Sequence, residues 1–126
     1  MNFPNNLKYS VDHEWVKVEG NEAFIGITDF AQQELGEIVY VDVTCEGETL
    51  AKGDVFGSIE AVKTVSDLII PIGGTIIEVN NQLEDAPELV NKEPYGNGWI
   101  IKVAIENMDE VDSLMSAEEY KAFIGK

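Results

Sequence analysis

The feature that most constrains the fold is a repeat. Gly36-Glu37-Ile38-Val39-Tyr40-Val41-Asp42 reappears as Gly74-Thr75-Ile76-Ile77-Glu78-Val79-Asn80, an offset of 74 − 36 = 38 residues. Leu50-Ala51-Lys52 loosely matches Leu89-Val90-Asn91 at 89 − 50 = 39. Each copy reads as strand, turn, loop, strand. Neither copy can bury its apolar face alone, so the pair predicts a pseudo-twofold sandwich of antiparallel strands.

Between the copies lies Phe56 to Ile70. Phe56 to Val62 and Val65 to Ile70 both suit β-structure, and Pro71 closes the second run because proline cannot donate to a ladder. The gap, Lys63-Thr64, predicts a β-hairpin within residues 55–71 with Lys63 at its tip. Primed turns favour glycine, and Lys-Thr has none, so a type I turn or a slightly wider loop is expected. Exposed turns are polar, and most tip lysines mean no more than that. This chain, however, has eight lysines and no arginine against 24 acidic residues. A lone lysine between Glu60 and Asp67 on a fixed backbone is easily singled out by a modifying enzyme. An amide there would remove the charge and place a flexible arm on a stiff support. A nucleophilic lysine needs burial or a neighbouring cation, and the run offers Lys63 neither. It reads as an attachment point.

Along the remaining chain, residues 1–9 suggest an arm or short edge strand. Trp15 to Glu19 and Ala23 to Ile27 form a hairpin around Gly20-Asn21. Thr28 caps a helix over Asp29 to Leu35 that Gly36 ends. Ile38 to Val43 is a strand, Glu46-Gly47-Glu48 a turn, and Leu50 to Asp54 a loop. Trp99 to Ile105 alternates, with Trp99, Ile101, Val103 and Ile105 on one face. Ser116-Ala117-Glu118-Glu119 is a capping box that opens a terminal helix over about 116–125. Its aromatic face, Tyr120 and Phe123, should pack on the sandwich.

A net charge of −16 argues against nucleic acid and anionic membranes as partners. The acidity serves solubility or steers the chain toward basic enzyme surfaces, and composition does not separate the two. Cys45 is the only cysteine, which fits a reducing compartment, and no basic neighbour activates it. The N-terminus has neither a secretory nor a transit pattern, so a cytoplasmic and bacterial setting is expected. Composition gives little support for catalysis. One histidine cannot form a histidine pair for a metal, and no phosphate loop is present. On the residues alone His13-Glu14 reads as a surface or sheet-edge pair, and Gly96 and Gly98 as turn glycines.

The run Ile59-Glu60-Ala61-Val62-Lys63-Thr64-Val65-Ser66-Asp67 resembles the lipoyl-lysine hairpin of glycine cleavage system H proteins. So do Pro71, Gly74, Glu78-Val79-Asn80, His13-Glu14-Trp15, and Pro94-Tyr95-Gly96-Asn97-Gly98-Trp99. Ala61 departs from the serine more usual there. The resemblance implies one lipoyl-carrier domain over 1–126. Its fold would be mostly β: a flattened antiparallel β-sandwich of the lipoyl/biotinyl carrier type (a barrel-sandwich hybrid), with short peripheral helices and a C-terminal helix. It implies lipoate on Lys63 and no catalytic residue. The implied partners are a pyridoxal-dependent glycine decarboxylase, a tetrahydrofolate-dependent aminomethyltransferase, a flavin dihydrolipoamide dehydrogenase and a lipoate-attaching enzyme. The labile aminomethyl cargo would gain from a shielded cleft with a carboxylate for its ammonium, and Glu14 and Asp67 are the candidates. Biotin carriers usually flank the lysine with methionines and oxo-acid dehydrogenase domains show Asp-Lys-Ala; neither pattern is here. A relay scaffold that donates lipoyl groups to other enzymes stays open as an alternative.

Overall fold

The computed structural model describes residues 1–125. In chain order the elements are β1 (Lys8–Tyr9), β2 (Glu14–Glu19), β3 (Glu22–Ile27), α1 (Asp29–Leu35), β4 (Ile38–Asp42), β5 (Thr49–Leu50), β6 (Val55–Ala61), β7 (Val65–Ile69), β8 (Gly74–Val79), α2 (Gln82–Asp85), α3 (Leu89–Lys92), β9 (Ile101–Ile105), α4 (Met108–Asp112) and α5 (Ala117–Ile124). They form a six-stranded sheet ordered β1-β2-β3-β9-β8-β5 and a three-stranded sheet ordered β4-β6-β7. Every strand pair is antiparallel. The expected mostly-β sandwich with short helices is therefore what the chain adopts, as two open sheets.

The principal core lies between the sheets. Ile25, Ile76, Ile101 and Val103 come from the large sheet, and Phe56, Ile59 and Leu68 from the small one. A second cluster joins Phe3, Tyr9 and Trp15 to Ala117 and Tyr120 of α5. The rings of Tyr9 and Tyr120 stack 4.9 Å apart there. Helix α5 has the expected capping box, and Gly125 ends it in the left-handed conformation. Tyr120 is fully buried, but Phe123 stays 51% exposed, so the aromatic face is only half used.

The 38-residue repeat has a structural counterpart. The ladder of β4 slips between Ile38 and Tyr40, and that of β8 slips between Ile76 and Glu78. Val39 and Ile77, 77 − 39 = 38 apart, are the extra residues, and both are exposed. A bulge at one place in both copies keeps Ile38 and Ile76 pointing inward. The looser match fails. Leu50 ends the short strand β5, whereas Leu89 opens α3. Helices α2 and α3 replace the second copy's turn and loop, so the two copies share only their leading strands.

One local expectation is corrected and another gains a reason. Trp99 does not share the face of Ile101. Its ring meets Phe24 edge-on at 5.1 Å, and Phe24 is the cross-strand partner of Lys102. The alternation breaks where the buried neighbours Ile100 and Ile101 turn the chain into β9. Gly98 lies in a turn, as its sequence suggests, but its φ is not positive. A side chain there would lie 2.6 Å from the carbonyl oxygens of both Leu89 and Glu93, so close packing against α3 excludes one. Elsewhere the sequence reading holds: Gly20 alone has positive φ in its two-residue turn, the type II′ pattern, and Thr28 accepts from Ala31 N–H as the α1 cap.

Among the described residues, no helix is long and apolar enough to cross a membrane.

Candidate functional site

Strands β6 and β7 form the expected hairpin, with its register displaced. Glu60 pairs with Val65, which sets Ala61 opposite Thr64, and Ala61 N–H donates to the Thr64 carbonyl at 2.7 Å. The connecting pair is thus Val62-Lys63 and not Lys63-Thr64. The buried Ala61 and Ile59 fix this register from below: a one-residue slip would turn both outward. Lys63 remains at the tip and exposed. The tip is tied down, because Val62 N–H donates to the Glu37 carbonyl at 3.0 Å.

The same hairpin forms one wall of a cavity of about 270 Å³. Ile59, Ser66, Asp67 and Leu68 face it from β6 and β7. Phe30, Ala31, Glu34 and Leu35 face it from α1, at the spacing of one helix side. Asp12, His13 and Glu14 close the third side. The structure therefore brings Glu14 and Asp67 together in one cleft beside the hairpin. Asp67 is exposed there, whereas Glu14 is only 2% exposed, so His13-Glu14 is not the surface pair its sequence suggests. Glu14 is buried where its side chain meets β7, at Ile69, and the turn at Ser10.

The Glu14 carboxylate is held from two sides. Oε2 accepts from Ile69 N–H at 3.0 Å, and Oε1 lies 3.5 Å from Ser10 Oγ. Ser10 Oγ in turn accepts from Glu14 N–H at 3.1 Å. Burial pushes the Glu14 carboxyl well above its ordinary range; the Asp12 charge adds to this, and the two hydrogen bonds oppose it. Asp12, Glu14, Glu34 and Asp67 give the cleft four acidic side chains and no lysine. The ion pairs among the described residues, Lys17–Glu19 and Lys102–Glu22, involve none of these. The lining is thus acidic and apolar together, which is the chemistry that suits a cation with an apolar stem.

A pH dependence follows. Glu14 titrates higher folded than unfolded, so its contribution is fully present below the unfolded value. That contribution is lost as pH rises through the raised folded value. Glu14→Gln keeps the shape and the acceptor for Ile69 N–H without the charge. Its thermal midpoint should exceed wild type at pH 7, and the two should converge below about pH 4. A midpoint for Glu14→Gln below wild type at every pH would contradict this.

Sequence reasoning missed Asp12 and Glu34. The 30/31/34/35 spacing on α1 marked one face but not what it faced. Cys45 is as inert as expected: Sγ is buried, donates to the Phe56 carbonyl at 3.1 Å, and burial pushes its thiol up. The segments around Trp15 and Pro94 meet directly, with the indole N–H donating to the Pro94 carbonyl at 2.8 Å.

Two antiparallel sheets that hold up a tied-down, exposed lysine hairpin define a carrier-type sandwich. The comparisons agree on the particular kind. The family model described as glycine cleavage H-protein matches residues 7–126, and the chain belongs to that family. It is 56% identical to the glycine cleavage system H protein of Bacteroides fragilis over 124 residues, 98% of each chain. It is 54% identical to that of Brevibacillus brevis over the same share. The crystal structure of a glycine cleavage system H protein from Mycobacterium marinum superposes with a TM-score of 0.89 at 37% identity, covering 98% of this chain and 99% of that one. The chain is thus a carrier component of the glycine cleavage system, in a family of lipoyl carriers.

Proposed function

We propose that the chain is a single, non-catalytic lipoyl-carrier domain modified at Lys63. In this reading it conveys the aminomethyl group of glycine from glycine decarboxylase to aminomethyltransferase and is then re-oxidised by dihydrolipoamide dehydrogenase. The setting is the bacterial cytoplasm, and a lipoate-attaching enzyme acts on the hairpin. The observation that carries the reading is the pairing of one exposed lysine on a fixed turn with an acidic, apolar-walled cleft on the same hairpin.

The lipoyl group suits what is present. Lys63 offers a primary amine at an accessible tip, and Ile27, Phe30, Leu35 and Leu68 offer apolar walls to an aliphatic chain. When bound, its dithiol supplies the group-transfer and redox chemistry. The protein's part is position. Val62 holds the base of the arm, the α1 side excludes water, and Glu14 with Asp67 receives the cation. A cation that enters supplies the charge that burial withholds from Glu14, so the carboxylate form becomes favourable there. No residue of the cleft is needed to break a bond.

Peptide mapping of protein from a lipoylating host should find one lipoyl amide, on Lys63. Lipoate on Lys52, or biotin on Lys63, would overturn the assignment.

A further inference from the structure

His13 is the one non-glycine residue with positive φ among those described, at +67°. It immediately precedes Glu14, so its backbone angle sets the direction in which the Glu14 side chain leaves the strand. Two backbone bonds hold the turn: His13 N–H donates to the Ser10 carbonyl at 3.1 Å, and Thr28 N–H donates to the His13 carbonyl at 3.0 Å. The side chain is held as well. His13 Nδ1 lies 2.9 Å from Tyr120 Oη, and that same hydroxyl lies 2.8 Å from Thr28 Oγ1. Thr28 Oγ1 already accepts the Ala31 amide that starts α1. Tyr120, from the far end of the chain, thus joins the strand that bears Glu14 to the helix that forms the opposite cleft wall.

We infer that Tyr120 is a positioning residue of the cleft, whose hydroxyl locks His13 in its left-handed turn and so places the Glu14 carboxylate. This rests on the reading of the cleft as the seat of the arm. The proton inventory gives the lock a direction. Thr28 O–H donates to Tyr120 Oη, and Tyr120 O–H donates to His13 Nδ1. Both hydroxyl protons and His13 Nδ1 then have partners, with His13 neutral and its proton on Nε2. The opposite polarity would put the proton on Nδ1 and leave the Thr28 hydroxyl hydrogen without a partner in this chain. Tyr120 is fully buried, so water does not compete for the bond. The ring itself is fixed independently, stacked on Tyr9 and edge-on to Phe3. The hydroxyl can therefore be removed without disturbing the packing of α5.

Tyr120→Phe makes that removal, and the test uses the unmodified full chain. Ile69 N–H reports on Glu14, because Glu14 Oε2 is its acceptor. Hydrogen exchange at Ile69 should accelerate about tenfold or more in Tyr120→Phe, as in Glu14→Ala. Amides of Ile25 and Val103 in the core should keep wild-type protection. The imidazole nitrogen shifts of the chain's one histidine should move from the Nε2–H pattern toward a tautomer mixture. Thr28→Ser, which keeps a hydroxyl, should match wild type in both readouts. Unchanged Ile69 exchange in Tyr120→Phe, or protection lost equally throughout the core, would overturn the inference. A separate arm tests the underlying reading: formaldehyde release by cargo-loaded protein, without partner enzymes, should be faster in Glu14→Ala and in Tyr120→Phe than in wild type. Equal release from Glu14→Ala and wild type would remove the role given to the cleft. The exchange and tautomer results would still decide whether Tyr120 places Glu14.

Discussion

Lys63→Arg should fold as wild type does and carry nothing. The variant keeps the charge and sits at an exposed tip, where surface substitutions change stability by less than about half a kcal/mol. The turn does not depend on the lysine side chain. It is fixed by backbone bonds, Ala61 N–H to Thr64 and Val62 N–H to Glu37, and by the buried Ile59 and Ala61 beneath. Arginine is nevertheless no substitute as an acceptor: its guanidinium stays protonated and does not form the amide that a primary amine forms. Intact mass from a lipoylating host should show no adduct, and reconstituted glycine cleavage should fall to background while the circular dichroism spectrum is unchanged. Activity that persists without added free lipoate would refute the assignment of Lys63.

Gly98→Ala should cost far more stability than a methyl group two residues earlier in the same turn. The added Cβ would meet two backbone carbonyl oxygens, those of Leu89 and Glu93, at 2.6 Å. Neither can turn aside. Glu93 O already accepts the Gly98 amide at 2.9 Å, and Leu89 O accepts the Glu93 amide at 2.7 Å. Relief requires α3 to move, and α3 carries Val90 into the main core and Asn91 onto the end of α1. There Asn91 accepts from Ile38 N–H and donates to the Gly36 carbonyl. Overpacking of this kind costs about 3 kcal/mol, which for a chain of this size lowers the midpoint by roughly 10 °C. Gly96→Ala is the control. Its nearest neighbour would be a side-chain atom, Glu93 Oε1, at 3.4 Å, an ordinary contact, so its midpoint should stay within about 3 °C of wild type. Equal losses at the two positions would show that close approach to α3 is not what reserves Gly98.

The hairpin, the α1 cap and the α5 capping box were legible in the sequence because each rests on local chemistry. Thr28, Gly36, Ser116, Glu119 and Gly125 all act within a turn of their own position. The repeat was legible for another reason: its two bulged strands, Ile38–Asp42 and Gly74–Val79, keep one pattern of burial. What failed was what depends on distant partners. Glu14 looked like a surface acid because nothing near it announces that β7 will cover it. The tip of the hairpin was misplaced by one residue because Val62 looks like strand. Its amide instead turns away from β7 and continues the β6–β4 register to Glu37, on a segment 25 residues away (62 − 37). Tyr120 read as one of several aromatic residues on a helix, since its bond to His13 spans 107 residues of chain. Local pattern gave the frame of the site, and tertiary contact chose which carboxylate became its interior.

The bond between Val62 N–H and the Glu37 carbonyl bears on timing. An arm on Lys63 starts from a base that does not wander, so only its own torsions decide where its end goes. Over such a short tether the local concentration of that end at its own cleft is on the order of millimolar. A contact of about 4 kcal/mol then suffices to keep it there half of the time. A partner pocket that binds the same end about 1.4 kcal/mol more tightly shifts the balance tenfold. On the proposed reading of Lys63, a stiff base would let a weak grip shelter the cargo between encounters and still release it on contact.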